Sequence, residues 1–400
     1  MAKANSSAAD EPTKRGRIDR SCCNFQPPLL PGLPDHISHL CLSRVHPSSL
    51  YSVCTSWRRL IYSPSFPPFL SIYALLSPAV DELRPSPEAP ADRGTCLSRI
   101  EFANFDPVAS RWRQLAPPLN LLLRHPSFLS RNFPIQSVSV SGKLVVVAAT
   151  ADNLFSAIPF PLVFNPISGD WSSGPPLSVP RRWCAAGSSG GTVYVASGVG
   201  SHFSTDVARS VEKWNLGCTT DGRRRSDCQI WKWRRMKDMK DMRFGRDAIE
   251  AVGWMGKLHM VNVRGGSPKE GVVYDVEADT WSEMPRGMID GWRGPVAAMD
   301  EAELYVVDEA AGALRRYDRE RDAWDDLFTS EDLKDAQQIA AAGGRVCVVS
   351  GEDSRRIVVV DVAAARTWTL ETPGRLQVVG LHILPRMHSR TPLIVSEDEY

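Results

Sequence analysis

Five times along this 400-residue chain, a short apolar run ending in Asp or Asn is followed six or seven residues later by tryptophan. No other feature narrows the fold so far. The copies are FANFDPVASRW to Trp112, LVFNPISGDW to Trp171, VVYDVEADTW to Trp281, LRRYDRERDAW to Trp324 and VVVDVAAARTW to Trp368. A sixth, VEKWN, is separated from Trp231 and Trp233 by the insertion GCTTDGRRRSDCQ. Upstream of five copies lies a turn and then a β-rich run: SGKLVVVAA, GGTVYVASG, MGKLHMVNV, EAELYVVDE and GGRVCVVSG. Each unit therefore supplies about four short strands, with a period of roughly 43 to 62 residues. Such units cannot bury their apolar faces singly and must stack on one another. The aromatic that every unit shares reads as the core wedge between neighbours.

The first unit, around residues 66 to 118, lacks an innermost strand, and the C-terminal run LQVVGLHIL has the composition to supply it. Pairing the two chain ends closes a six-membered ring and removes the exposed edges that invite aggregation. The doubled glycine of the inner turn is present as Gly190-Gly191 and Gly343-Gly344, and is Ser-Gly, Met-Gly or absent elsewhere. The pattern resembles degenerate kelch repeats. That resemblance implies a mainly β fold, a six-bladed kelch-type β-propeller over residues 71–386, followed by a polar tail at 387–400.

The segment before the ring has a different period. In LPDHISHLCLSRVHPSSLYSVCTSWRRLI, Ile37, Leu40 and Cys41 share one face at helical spacing, and Pro34 with Asp35 suits a helix start. Val45 and Pro47 end that helix and open another, and Leu50, Val53, Cys54, Trp57, Leu60 and Ile61 continue the 3.6-residue period. About forty residues bury too little surface to be comfortable alone. This unit wants a partner. The stretch resembles the F-box, with Leu33-Pro34 opening, Leu50 and Val53-Cys54 following, and Trp57-Arg58 closing; it departs in HPSSL, where an acidic residue is commoner before the leucine. The resemblance implies a three-helix module over residues 29–70 that docks on the Skp adaptor of SCF ubiquitin ligases, and so reaches the cullin and RING subunits indirectly. Leu33, Pro34, Ile37, Leu40, Val45, Leu50, Val53, Cys54, Trp57 and Leu60 would meet the adaptor or hold the helices together. The whole arrangement resembles plant-type F-box/kelch-repeat, Skp-interacting proteins, and implies a substrate receptor whose ubiquitin-transfer chemistry belongs to other subunits.

Composition excludes several other classes. Lys plus Arg number 47 against 46 Asp plus Glu, so no global field favours nucleic acid or an anionic membrane. No apolar run approaches the length that spans a bilayer. The nine cysteines form no C-x-x-C, which suits free thiols in a reducing compartment, cytoplasmic or nuclear, and speaks against structural zinc. Residues 1–28 carry few large apolar groups and read as a disordered leader; Lys14, Arg15 and Arg17 within it form a weak basic cluster. The alternatives are a scaffold without ligase association and, less favoured, a propeller enzyme. His125, His202 and His259 have no ligand spacing, and no G-x-S-x-G elbow or phosphate-cradling loop is present, so no cofactor or metal is expected.

The client side carries one repeated chemical feature. A basic residue stands nine to eleven positions before each inner turn: Arg131, Arg182, Arg246, Arg293 and Lys334. These positions connect one blade's outer strand to the next blade's inner strand, which brings all five to one face. There they would favour an acidic or phosphorylated client segment. The competing reading is that each packs or pairs within its own blade. The long connections ATADNLFSAIPFP and SGVGSHFSTDVARS share that face and are the expected specificity loops.

Overall fold

The structure, a computed structural model, describes residues 28–387 apart from 64, 79–96, 119–123, 127–134, 150–156, 217–230, 241, 243, 245–248, 263–268, 352–353 and 375. The readings of the leader, the insertion and the tail fall outside the described residues, save residues 28 and 387. Six antiparallel four-stranded sheets follow one another around a central channel, each running from an inner to an outer strand. Blade 1 comprises Leu376–Pro385, Leu70–Pro78, Glu101–Asp106 and Arg111–Leu115. Blade 2 holds Gln136–Val140, Lys143–Ala148, Leu162–Asn165 and Asp170–Ser173; blade 3 holds Ala185–Ser189, Thr192–Ala196, Val211–Asn215 and Arg234–Arg235. Blade 4 is Ile249–Trp254, Lys257–Asn262, Gly271–Asp275 and Thr280–Glu283; blade 5 is Val296–Met299, Glu303–Asp308, Ala313–Asp318 and Ala323–Thr329. Blade 6 is Gln338–Ala342, Arg345–Ser350, Arg356–Asp361 and Arg366–Glu371. The fold is thus a six-bladed propeller whose first blade takes its inner strand from the C-terminal run.

Turn chemistry explains the repeat. The inner hairpins close through two residues in the left-handed region, as at Ser141-Gly142, Gly190-Gly191 and Gly343-Gly344, which is the twist-matched two-residue turn. Blade 5 builds the same turn from Asp300 and Glu301, with φ of 52° and 58°. This geometry costs a non-glycine about 1–2 kcal/mol per residue. The Glu301 carboxylate gives something back by accepting from Ser189 Oγ at 2.8 Å and Gly190 N at 2.7 Å in blade 3. At the outer hairpins, the repeat's Asp or Asn accepts backbone N–H groups two or three residues on, as Asp106 does from Val108 at 3.0 Å and Asp275 from Ala278 at 3.0 Å.

The core is divided into six clusters, one between each pair of neighbouring blades, where Leu144, Val146 and Phe164 of blade 2 meet Tyr73, Leu75 and Phe102 of blade 1, for example. Second strands such as Thr192–Ala196 are buried along their whole length, because both of their faces meet a neighbouring blade. The repeat tryptophans differ from the expected core wedges. Trp112, Trp171, Trp281 and Trp324 are half-buried on outer strands, and Trp368 is 39% exposed. Five of the repeat's indole N–H groups donate to a main-chain carbonyl of the preceding blade's end: Trp112 to Glu371 at 2.7 Å, Trp171 to Ala116 at 3.0 Å, Trp233 to Pro175 at 2.9 Å, Trp281 to Lys237 at 3.0 Å and Trp324 to Met288 at 3.1 Å. An indole needs a hydrogen-bond partner when it is covered, and the seam between blades supplies one. Trp233 is buried in the cluster between blades 2 and 3, whereas Trp112, Trp171, Trp281 and Trp324 clasp the seams nearer the rim; aliphatic and aromatic side chains of the inner three strands fill most of the core.

Candidate functional site

Three helices precede the ring: α1 Asp35–Leu42, α2 Pro47–Tyr51 and α3 Thr55–Ile61. Pro34 is the N-cap of α1 rather than a residue of its first turn, and Pro47 opens α2. The module's own core is small: Leu42, Leu50, Leu60, Ile61 and Phe66. Trp57 and Arg58 hold the helices together from inside. The Trp57 indole donates to Leu29 O at 2.8 Å, and Arg58 Nε donates to Tyr51 O at 2.6 Å while the guanidinium lies over the Tyr51 ring.

This geometry divides the ten expected adaptor-binding residues. Leu50 and Leu60 are buried and Trp57 is half-buried, so these three hold the module together rather than lie open on its surface. Cys54 is half-buried as the N-cap of α3. Pro34 is exposed, and the large apolar side chains of Leu33, Ile37, Leu40, Val45 and Val53 stand 40%, 36%, 63%, 41% and 57% exposed. On α1 the buried positions are Ser38 and Leu42, spaced i and i+4, so the apolar stripe of Ile37, Leu40 and Cys41 is the outward face of the helix. The helix thus turns Ser38 and Leu42 inward and leaves Ile37, Leu40 and Cys41 as an exposed apolar stripe.

The module stands on the face of the ring that carries the hairpin turns. Strand Leu70–Pro78 leaves from there, and Tyr62 OH donates to Asp106 Oδ2 in the outer turn of blade 1 at 3.3 Å. The opposite face gathers the blade-to-blade connections and the links between second and third strands; Arg182 and Val199 exchange backbone hydrogen bonds of 3.0 and 2.9 Å across two of these. A central channel of about 520 Å³ joins the faces, lined by the inner strands of all six blades, with Glu250, Glu301 and His382 among its polar groups.

Of the five basic connection residues, Arg131 and Arg246 lie outside the described residues. Arg182, Arg293 and Lys334 stand in blade-to-blade connections on the face away from the module, but they do not make an open basic ring. Arg182 lies over the Trp183 ring at 4.6 Å. Lys334 Nζ pairs with Glu331 at 2.8 Å. Arg293 is 63% exposed and stands 3.8 Å from the buried carboxylate of Asp308, which Arg315 approaches to 2.9 Å. Each of these three is engaged by its own neighbourhood. Glu331 comes from the same connection as Lys334 and Asp308 from the end of blade 5's second strand, so the charge is mixed. The neighbour of Arg182, Arg181, was not singled out from the sequence. It is fully buried, paired with Glu212, and donates to Ser210 Oγ at 2.6 Å. It pins the connection onto blade 3, where Trp183 is held at φ 54°, a strained setting for a bulky residue. Of the two expected specificity loops, the one through residues 197–210 is described and carries a short helix, Thr205–Arg209, and the exposed Phe203; residues 150–156 of the other lie outside the described residues.

Comparison with known proteins adds relatives to this geometry. No protein-family model matches the chain. F-box/kelch-repeat protein SKIP25 of Arabidopsis thaliana is 47% identical over 397 residues, which is 96% of this chain and 96% of the relative. F-box protein AFR of the same plant is 26% identical over 70% of this chain and 69% of its own, and F-box/kelch-repeat protein SKIP4 is 22% identical over 89% and 90%.

Proposed function

The chain belongs to the F-box/kelch-repeat proteins, and from that membership we propose that it is a substrate receptor of an SCF-type ubiquitin ligase. The α1 to α3 module docks on the Skp adaptor, the ring binds a protein client, and the cullin and RING subunits bring the ubiquitin-transfer chemistry. The observation that carries this reading is the outward apolar surface of Leu33, Ile37, Leu40, Val45 and Val53 on a module whose own core is complete without them. A few apolar anchors carry most of the energy of such an interface.

The client is proposed to bind on the face away from the module, at the blade 3 and blade 5 connections where Arg182, Arg293 and the 197–210 loop meet solvent. An acidic or phosphorylated segment is the proposed client chemistry, with Arg293 the most exposed cation of the three described. The test uses the full chain. It is expected to co-purify with the Skp adaptor, and a Leu40→Asp, Val53→Asp double variant is expected to lose the adaptor while melting like the parent. A parent chain that does not bind the adaptor would refute the reading. For the client, proteins that accumulate on removal of the chain are assayed against an Arg182→Ala, Arg293→Ala variant across a salt series. Unchanged binding and unchanged salt dependence would remove the acidic-client proposal.

A further inference from the structure

The pose of the helical module on the ring rests on a side chain that neither the motif nor the repeat accounts for. Arg386 directly follows the closing strand Leu376–Pro385 and is 2% exposed. Its main-chain N–H donates to Phe69 O, and its Nη1 donates to Ile61 O at the end of α3 at 3.3 Å. Its guanidinium lies over the Tyr62 ring at 3.9 Å and the Phe69 ring at 4.9 Å, and its Nε stands 3.5 Å from Asp106 Oδ2. Asp106 also accepts from Tyr62 OH at 3.3 Å and from Arg113 Nη2 at 3.0 Å. One guanidinium thus touches the last helix of the module, the linker after it and the outer turn of blade 1.

Two guanidinium groups share one carboxylate in this cluster, and Arg386 Nη2 has no hydrogen-bond partner among the described residues. For stability alone, an apolar side chain of similar volume would serve as well, because taking a charge out of water offsets what its partners return. A buried arginine differs in what it forbids: tilting the module away would take the Tyr62 ring face and the Ile61 carbonyl from the charge and leave it only what blade 1 and the linker supply. The contact also exists only when the C-terminal strand is in place, since Arg386 is the next residue.

We infer that Arg386 is a positioning residue, which sets the angle between the adaptor-docking helices and the client face and makes that angle depend on closure of the ring. The consequence for ubiquitin transfer rests on the receptor reading above; the pose itself does not. A fixed separation between two bound partners raises the effective concentration of one at the other, and a loose joint dilutes it.

The experiment places spin labels, through an encoded non-cysteine amino acid, at the exposed Ser49 of α2 and Glu277 of blade 4 in the full chain, and reads their distance distribution by double electron–electron resonance. The parent is expected to give one narrow distribution. Arg386→Ala is expected to broaden it about twofold, with Arg386→Lys between the two, since lysine keeps the charge and loses the planar stacking surface. Tyr62→Leu, which leaves the closing strand and its arginine untouched, is expected to broaden it as well and covers the case in which Arg386→Ala disturbs the fold. In the assembled ligase the same variants should keep adaptor affinity within about twofold, the docking residues lying outside the Ile61, Tyr62, Phe69 and Asp106 cluster, and slow ubiquitin transfer by about tenfold through lost orientation. A narrow, unshifted distribution in both Arg386→Ala and Tyr62→Leu overturns the inference. Failure of the parent to bind the adaptor refutes the receptor reading instead and leaves the distance measurement to decide the pose.

Discussion

His382 shows at one side chain what closing the ring requires. It lies on the closing strand, buried between blades 1 and 2, with Ser137 Oγ 2.8 Å from Nε2 and Ser139 Oγ 3.0 Å from Nδ1. Burial pulls its pKa down to about 4, and burial with Lys257 nearby does the same to His259. An unfolded histidine titrates near 6.5, so as pH falls below that value the unfolded chain takes up the proton first and stability is lost until about pH 4, by up to about 3 kcal/mol per histidine. Glu250 works in the opposite direction: burial raises its carboxyl to about 7, so its contribution is present at low pH and fades as pH rises from about 4.5 to 7. A His382→Gln variant separates these terms. Its deficit in unfolding free energy relative to the parent is expected to shrink steadily between about pH 6.5 and 4; a constant deficit would contradict the assignment. A second prediction at this scale contrasts neighbours in the helical module. Val53→Asp should abolish adaptor binding with stability within about 0.5 kcal/mol of the parent, whereas Leu50→Ala should cost about 2–5 kcal/mol and lose binding only as the module loosens. Chemical denaturation alongside adaptor pull-down distinguishes the two.

At the scale of the element, each outer strand does two jobs with one turn and one indole. The Asp or Asn of the third strand satisfies the turn's N–H groups, and the residue four places on takes a left-handed backbone, as at Gly169, Asp279, Asp322 and Ala365. That turn delivers the tryptophan to the seam, where its N–H meets the preceding blade. Trp324→Phe keeps an aromatic ring, though a smaller one, and removes the hydrogen bond to Met288 O, leaving a covered carbonyl short of a donor; the expected cost is about 1–2 kcal/mol. Trp368, more exposed and resting beside Arg345 at 5.4 Å, should tolerate the same change within about 0.5 kcal/mol. Urea titration of the two variants tests the clasp, and equal losses would show that the tryptophans act through bulk packing after all.

For the whole molecule, the paired chain ends join six otherwise local sheets. Strand Leu376–Pro385 pairs with Leu70–Pro78 along its length and packs Val378, Leu381 and Leu384 into the clusters on both sides of blade 1. Ending the chain at Thr372 removes that strand, exposes two edges and should give an insoluble or non-cooperatively melting product, whereas ending it after Met387 should melt as the full chain does. A soluble, cooperative product ending at Thr372 would refute the claim that the pairing is required. The number of blades, the strand that closes them and the existence of a helical module were all readable from the sequence, because each follows from a short-range pattern repeated along the chain: apolar runs of strand length, Asp/Asn turns, and a switch to helical spacing before residue 62. What depends on long-range packing was not readable. Periodicity marks Leu40 and Leu50 alike as apolar helix positions, and only the arrangement of three helices decides that one faces out and the other in. Spacing places Arg182, Arg293 and Lys334 on one face, but their partners Trp183, Asp308 and Glu331 are set by loop conformation. Arg386 looks like a lone cation after a strand until the ring closes and brings Ile61, Tyr62 and Asp106, each more than 250 residues away in the chain, around its guanidinium. Local pattern determines which elements form and how many; the burial of a given side chain is decided by segments remote in sequence, since only their approach excludes water from it.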